Sequence, residues 1–111
     1  MSMTVRKLTE ASELCAVTLP DPDREVHGVY VCDLLSWVIG RAEPDSAWIT
    51  IMSNINVPAV ATLADVSCVI LAEGVKPDED ALAAAEARGI NMLSSTLPTY
   101  ETALLLRDML K

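Results

Sequence analysis

The chain has 111 residues, of which 51% are hydrophobic and 22% are charged. This length and apolar content suffice for one hydrophobic core and exclude a disordered chain, so we expect one domain over residues 1–111. Sixteen acidic against eight basic residues give a net charge of −8, which argues against nucleic acid and anionic membranes as partners. Because no apolar run reaches the ~18 residues of a membrane span and no secretory signal is recognisable, we expect a cytoplasmic protein.

The first part of the chain is predicted to form two helices and two short strands. Residues 4–11 carry apolar side chains at helical spacing and are predicted to form a short helix. Strands are expected at 14–19 and 26–31, separated by the turn sequence Pro-Asp-Pro-Asp. Asp33 is a suitable N-cap for a helix that ends near Gly40. This part is expected to add one or two strands to the sheet.

The remainder of the chain alternates short apolar strands with helices. Strands are predicted at residues 47–52, 68–72 and 90–93, and helices at 57–63, 78–88 and 99–110. Three such strand–helix units in a row are typical of a parallel sheet that is covered on both faces. The predicted fold is therefore a compact three-layer α/β domain with a central, mainly parallel sheet flanked by helices.

The three cysteines give no metal or redox pattern. Cys15, Cys32 and Cys68 are an odd number, and their spacings contain neither a CxxC motif nor a zinc-binding pattern. Each follows or precedes apolar residues, so we predict three buried, reduced thiols. A redox or metal role is the alternative.

Three polar loops follow the three strands of the second part, at residues 53–56, 73–76 and 94–99. Ligands of open parallel sheets bind outside the carboxyl ends of the strands, so these loops are expected to share one edge. Each loop also leads into a helix N-terminus, which favours an anion, and Lys76 adds a positive charge. The candidate ligand-binding residues are Ser53, Asn54, Asn56, Glu73, Gly74, Lys76, Ser94, Ser95, Thr96 and Thr99.

The same polar side chains have a simpler interpretation as helix caps. Asn54 and Asn56 are suited to cap the helix at 57–63, and Thr96 or Thr99 is suited to cap the last helix.

Gly74 lies where the chain must turn from strand into helix within very few residues before Pro77. We predict a positive φ at Gly74. An ordinary loop glycine with negative φ is the alternative.

No catalytic, metal or cofactor site is predicted. The four glycines stand alone, so there is neither a phosphate-binding loop nor a dinucleotide fingerprint. His27 is the one histidine and lies apart from the three loops, which leaves no partner for a triad. Asp65 and Glu73 are the candidates for a pair of acids, although isolated carboxylates are usually solvated.

Several segments resemble the DRTGG domain in their order and spacing, from about residue 4 to residue 110. They are GVYVCDLLS at 28–36, WITI at 48–51, VILAEGVKP at 69–77, Gly-Ile at 89–90, Leu-Ser-Ser at 93–95 and TYETA at 99–103. DRTGG domains occur within phosphotransacetylases, beside CBS domains in regulated pyrophosphatases, and as small stand-alone proteins. The resemblance to the stand-alone type implies a regulatory or ligand-binding role without catalysis.

The residues that give this family its name are changed in this chain. The Asp-Arg pair would fall near residues 53–56 and is absent, and Thr-Gly-Gly would fall on Ala72, Glu73 and Gly74. Only Gly74 is kept. Glu73 in place of a glycine would repel a phosphate group, which puts a nucleotide-like ligand in question.

Three functions are therefore compared. The favoured one is a regulatory module that binds a small ligand at the three loops and acts through a homodimer or a docked partner protein. A small transferase or hydrolase using Glu73, Lys76 or Asp65 is the second, and a structural subunit of an assembly is the third. The candidate contacts for a dimer are Trp37 and the apolar residues of the last helix, Leu104, Leu105, Leu106, Met109 and Leu110. Burial of that helix in the core is the alternative.

Overall fold

The computed structural model describes residues 2–111, in which five strands form one sheet. The strands are β1 (Leu14–Thr18), β2 (Gly28–Val31), β3 (Ser46–Thr50), β4 (Cys68–Leu71) and β5 (Met92–Ser95). Their order in the sheet is β1-β5-β4-β3-β2. Strands β2 to β5 are parallel, while β1 pairs antiparallel with β5. The predicted central, mainly parallel sheet is confirmed.

Five helices cover the two faces of this sheet. They are α1 (Val5–Leu8), α2 (Leu35–Arg41), α3 (Asn56–Ala64), α4 (Glu79–Arg88) and α5 (Thr99–Met109). Side chains of α2, α3 and α4 share one buried cluster with Trp48 of β3, which defines the first face. Side chains of α1 and α5 share another with Ile49 of the same strand, which defines the second face. Successive residues of a strand thus enter opposite cores, as expected for a sheet buried on both sides.

The helices of the described chain are short. None among residues 2–111 combines the length and the apolar character that crossing a membrane would require.

Many predicted boundaries differ from the structure by one or two residues; β2, for example, begins at Gly28 rather than at residue 26. The first helix is a single turn, and the last strand begins at Met92 rather than at residue 90. The buried amide of Asn91 explains the later start of this last strand, because it donates to the carbonyls of Asp21 and Ser67 and accepts the N–H of Asp21. Asn91 is thereby held by the turn that precedes β2, and the pairing of β5 with β1 starts only after it.

The prediction that Asp33 caps a helix was wrong. Helix α2 begins after Leu34, which has no side-chain capping bond. The carboxylate of Asp33 instead accepts the hydroxyl of Thr50 at 2.7 Å and the N–H of Ile51 at 3.0 Å. Asp33 therefore joins the carboxyl ends of β2 and β3.

The outer strand β1 departs from regular pairing. Its register with β5 shifts between Ala16 and Thr18, which marks a bulge. A bulge leaves one residue unpaired and twists the strand locally. The first edge of the sheet is therefore irregular, whereas β2 at the other edge pairs with β3 without interruption.

The three thiols differ in their exposure, which corrects the expectation of three buried cysteines. Only Cys68 is buried, while Cys32 is half-buried and Cys15 is exposed. Cys15 lies on β1, the outermost strand at one edge of the sheet. All three are free thiols, and burial raises the pKa of Cys68 to about 12.

We expect the thiols of the folded protein to react in the order of their exposure. Cys15 should be modified by an aromatic disulfide reagent at pH 8, whereas Cys68 should react only after unfolding, because its thiolate is both inaccessible and disfavoured. Mass spectrometry of the labelled peptides with and without guanidinium measures both. Rapid labelling of Cys68 in the native protein would contradict its burial.

An ion cluster ties together the loops at the amino ends of β3 and β4. The Arg24 guanidinium contacts Asp45 Oδ1 at 3.0 Å, Asp65 Oδ1 at 2.8 Å and the Asp65 carbonyl at 2.7 Å. Both aspartates have left-handed backbone angles, with φ of 63° at Asp45 and 57° at Asp65. The N–H of Asp45 also donates to the Asp65 carbonyl. Arg24 thus stabilises two turns that the backbone alone disfavours.

Arg24→Leu is expected to lower the free energy of unfolding by about 1–3 kcal/mol, because it removes the guanidinium donor of two carboxylates and one of the two donors to the Asp65 carbonyl. Arg6→Leu is the matched control, since Arg6 pairs with Asp23 where both side chains are exposed, and surface pairs contribute about 0–1 kcal/mol. Urea unfolding of both variants measures the difference. Equal losses would show that the cluster does not stabilise the fold.

Candidate functional site

The three polar loops lie together at the carboxyl edge of the sheet, as predicted. They follow β3, β4 and β5, which are parallel neighbours. Direct backbone hydrogen bonds connect them: Glu73 N–H donates to the Leu97 carbonyl at 2.8 Å, and Gly74 N–H donates to the Ser95 carbonyl at 2.9 Å. The N–H of Asp78 donates in the same way to the Ser53 carbonyl at 3.0 Å. The loops form one surface, which we call the carboxyl edge.

The paths of the loops diverge between β4 and β5. The loop after β4 leads to α4 on the first face, and the loop after β5 leads to α5 on the second face. In open α/β sheets, ligands bind outside the carboxyl ends of the strands where neighbouring connections separate in this way. The junction between β4 and β5 is therefore the natural centre of a site.

Glu73 occupies this junction. Its backbone is left-handed with φ of 63°, and Gly74 follows with φ of 70°, which confirms the positive φ predicted for the glycine. Glu73 Oε2 accepts the N–H of Thr99, the first residue of α5, at 2.8 Å. A negative charge at a helix N-terminus is stabilising, so the place that would attract a ligand's anion already holds a carboxylate of the protein.

The residues after β3 act mainly as local caps. Asn54 Oδ1 accepts the N–H of Asn56 at 2.9 Å, as the capping alternative proposed, while Asn56 is the exposed first residue of α3. The hydroxyl of Ser53 donates to Asp78 Oδ1 at 3.3 Å, which connects this loop to the start of α4. Of these three residues, Asn56 is the one whose side chain is most open to a ligand.

The loop after β5 contains both buried and exposed hydroxyls. Ser95 is fully buried and shares a 2.7 Å hydrogen bond with Thr102, so its role is structural. The half-buried Ser94 hydroxyl is directed to the Val75 carbonyl at 3.4 Å. Thr96 is exposed, and Thr99 is half-buried. The prediction that Thr96 or Thr99 caps the last helix was wrong, because Pro98 is the N-cap and Glu73 accepts the first N–H.

Lys76 is exposed in the loop after β4. Within residues 2–111 its ammonium group makes neither a hydrogen bond nor an ion pair. It is therefore available to an anionic group that approaches the carboxyl edge. Three predicted site residues are exposed and have a polar side chain that makes no hydrogen bond or ion pair within residues 2–111. They are Asn56, Lys76 and Thr96.

Sequence reasoning missed the contribution of Asp33 and Thr50. Their hydrogen bond closes the β2–β3 end of the carboxyl edge, and Thr50 is almost fully buried. A signal was present, since Thr50 is the polar residue within the apolar segment 47–52. Asp33 was assigned to a cap because acidic residues are common there.

The acids Asp65 and Glu73 do not form a pair, which corrects that expectation. Asp65 precedes β4 and binds Arg24, whereas Glu73 follows the same strand, so they lie at opposite ends of it. His27 precedes β2 and contacts Glu25 Oε1 at 3.0 Å, also at the amino edge. Among the described residues, no three His, Cys, Asp or Glu side chains are placed to hold a metal ion.

The sequence matches the family model of the DRTGG domain over residues 14–109, most of its length. The chain belongs to the DRTGG domain family. This match includes all five strands and the whole carboxyl edge. No curated protein sequence matches the chain.

A solved structure shares the fold of this DRTGG chain. It is described as the CBS and DRTGG domains of the regulatory region of Clostridium perfringens pyrophosphatase, complexed with the activator diadenosine tetraphosphate. The TM-score is 0.67 at 14% sequence identity, and the match covers 84% of this chain. It covers 41% of the other chain, so this protein corresponds to less than half of that regulatory region.

Substitution of Gly74 tests the left-handed turn. A Cβ at this position would meet no atom within 4 Å, so the cost of Gly74→Ala is conformational alone and is expected to be about 1–2 kcal/mol. Gly74→Val should cost more, up to about 3 kcal/mol, since a branched side chain tolerates a positive φ less well. Denaturant unfolding of both variants measures the loss. An unchanged or increased stability of Gly74→Ala would contradict the observed φ.

Proposed function

We propose that this DRTGG-family protein is a non-catalytic regulatory module, formed by a single domain, that binds a small ligand at the carboxyl edge. The observation that carries the proposal is the convergence of three polar loops on the N-terminus of α5, where backbone hydrogen bonds fix their relative positions. The exposed side chains of Asn56, Lys76 and Thr96 then supply the side-chain contacts to the ligand. The structural match to a regulatory region supports the same interpretation.

The charge of the carboxyl edge restricts the ligand. Glu73 holds a negative charge at the start of α5, and Asp78 lies beside Ser53, whereas Lys76 is the one basic side chain of the three loops. A polyphosphate would meet the Glu73 carboxylate at close range. We therefore infer a neutral or singly charged ligand, in contrast to the diadenosine tetraphosphate of the structural neighbour.

A thermal-shift screen identifies the ligand class. Nucleotides, acyl phosphates, small carboxylates and divalent metal ions are compared, because a ligand that binds only the folded state stabilises it by about 2.7 kcal/mol at 100 times its Kd. Lys76→Ala should weaken a singly charged anion, while Arg88→Ala at the far end of α4 should not. A screen in which no compound shifts the melting temperature would contradict the proposal and favour a structural subunit.

Glu73→Gln tests the exclusion of polyphosphates separately. Glutamine keeps an oxygen for the Thr99 N–H and removes the charge, so ATP and diadenosine tetraphosphate are expected to bind the variant more tightly than the parent. Isothermal titration calorimetry measures both affinities. Tight binding of polyphosphates by the parent, unchanged in the variant, would contradict the assigned role of Glu73. Turnover of a bound compound would favour the enzyme alternative.

A regulatory module transmits the binding of its ligand through contact with another protein. We propose that this contact is a homodimer and that the protein is cytoplasmic. The last helix supplies little of the required surface. Leu106 is fully buried, and Leu105, Met109 and Leu110 pack against the second core. Most leucines of this helix therefore belong to the core, which was the alternative to a dimer contact. Trp37, which is about half exposed, points to a different surface.

A further inference from the structure

A cavity of about 490 Å³ lies at the amino edge of the sheet. It is bounded by the N-terminal segment, by the residues that precede β2 and by the end of α5. Pockets that bind small molecules commonly measure about 300–1,000 Å³. None of the described residues that line this cavity belongs to the three polar loops, so it is separate from the carboxyl edge. We call it the amino cavity.

Backbone hydrogen bonds fix two walls of the amino cavity against each other. Thr4 and Glu25 form an antiparallel bridge, and the N–H of Val26 donates to the Met3 carbonyl at 2.9 Å. The end of α5 supplies the third wall. The cavity therefore lies between fixed parts of the fold, as is usual for small-molecule sites.

The floor of the amino cavity is apolar and continues the second core. Val26 is buried in that core, and Met3, Met109 and Leu110 pack against it. The same four side chains line the cavity. Methionine side chains are unbranched and adapt to ligands of different shape. The floor therefore suits a molecule with an apolar body.

Charged groups of both signs stand at the rim of the cavity. Lys7 Nζ donates to the Ser2 carbonyl at 2.8 Å. An ammonium group has three N–H bonds, so the others remain for a ligand. Glu25 Oε1 contacts His27 Nε2 at 3.0 Å, whereas Glu25 Oε2 has no partner within residues 2–111. One cationic donor and one carboxylate oxygen are thus open to the cavity.

These two charges restrict the class of ligand. A simple anion would face the Glu25 carboxylate, and a simple cation would face the Lys7 ammonium group. A neutral apolar molecule would displace water from both charges without replacing it. A molecule that carries both charges can pair with each. Lys111 adds a second ammonium group, and its exposed pair with Asp108, at 3.8 Å, is of a kind that competes little.

We propose that the amino cavity is a second ligand site, which binds a zwitterionic amino acid with an apolar side chain. The ligand's carboxylate pairs with Lys7, its ammonium group pairs with Glu25, and its side chain packs against Met3, Met109 and Leu110. This site is independent of the ligand at the carboxyl edge and of the oligomeric state.

Isothermal titration calorimetry of the full chain with L-leucine and L-methionine tests the site. Three matched compounds each lack one element: isocaproate has no ammonium group, isoamylamine has no carboxylate, and glycine has no apolar side chain. Both amino acids are expected to bind, and each of the three compounds is expected to bind at least about tenfold more weakly, since each forgoes one of the contacts. Equal affinity of any of the three would overturn the assigned ligand class.

Charge-neutralising variants locate the binding. Lys7→Met and Glu25→Gln should each weaken the amino acid at least about tenfold, because each leaves one charge of the ligand unpaired. The matched controls are Arg88→Met and Glu86→Gln at the end of α4, which packs on the first face, and they should leave the affinity unchanged.

Circular dichroism confirms that each variant is folded. Absence of amino acid binding by the folded parent would overturn the proposal, and so would an affinity that either cavity variant leaves at the parent's value. A compound that binds at the carboxyl edge should be unaffected by Lys7→Met. Its binding would therefore leave the proposed function standing even if the amino cavity proved empty.

Discussion

The hydrogen bond between the Glu73 carboxylate and the N–H of Thr99 is the contact on which the carboxyl edge depends. It places a charge at the start of α5 and holds the loop after β4 against the loop after β5. Two consecutive left-handed residues, Glu73 and Gly74, are needed to bring that carboxylate into position. Left-handed angles at a residue with a Cβ cost about 1–2 kcal/mol, so the capping bond and the two backbone bonds to the next loop offset the strain. The entry of α5 onto the second face begins from this contact.

The two ends of the sheet have different tasks. At the amino edge, Arg24 saturates Asp45 and Asp65, and the side chain of Asn91 fixes the turn before β2. These polar groups are directed inward, at other parts of the protein. At the carboxyl edge, exposed side chains such as Lys76 remain unpaired among the described residues.

The sequence was sufficient for the architecture because apolar strands and amphipathic helices alternate without interruption. It was also sufficient to place the three polar loops together, since parallel strands bring their following loops to one edge. It was insufficient where a side chain chooses between local and distant partners. Asp33 bonds to β3 rather than to its own helix, and Asn91 bonds to a distant turn, so that β5 begins only at Met92. The exposure of Cys15 depends on the position of β1 at an edge, which strand order alone decides.

The shift of register in β1 bears on edge-to-edge association of sheets. A sheet with two regular open edges can add copies at both sides and grow without limit, as fibres do. Here the register of β1 with β5 shifts between Ala16 and Thr18, so one of the two outer strands is irregularly paired. Bulges twist a strand locally, and an irregular edge is one of the means by which a sheet resists the addition of further strands.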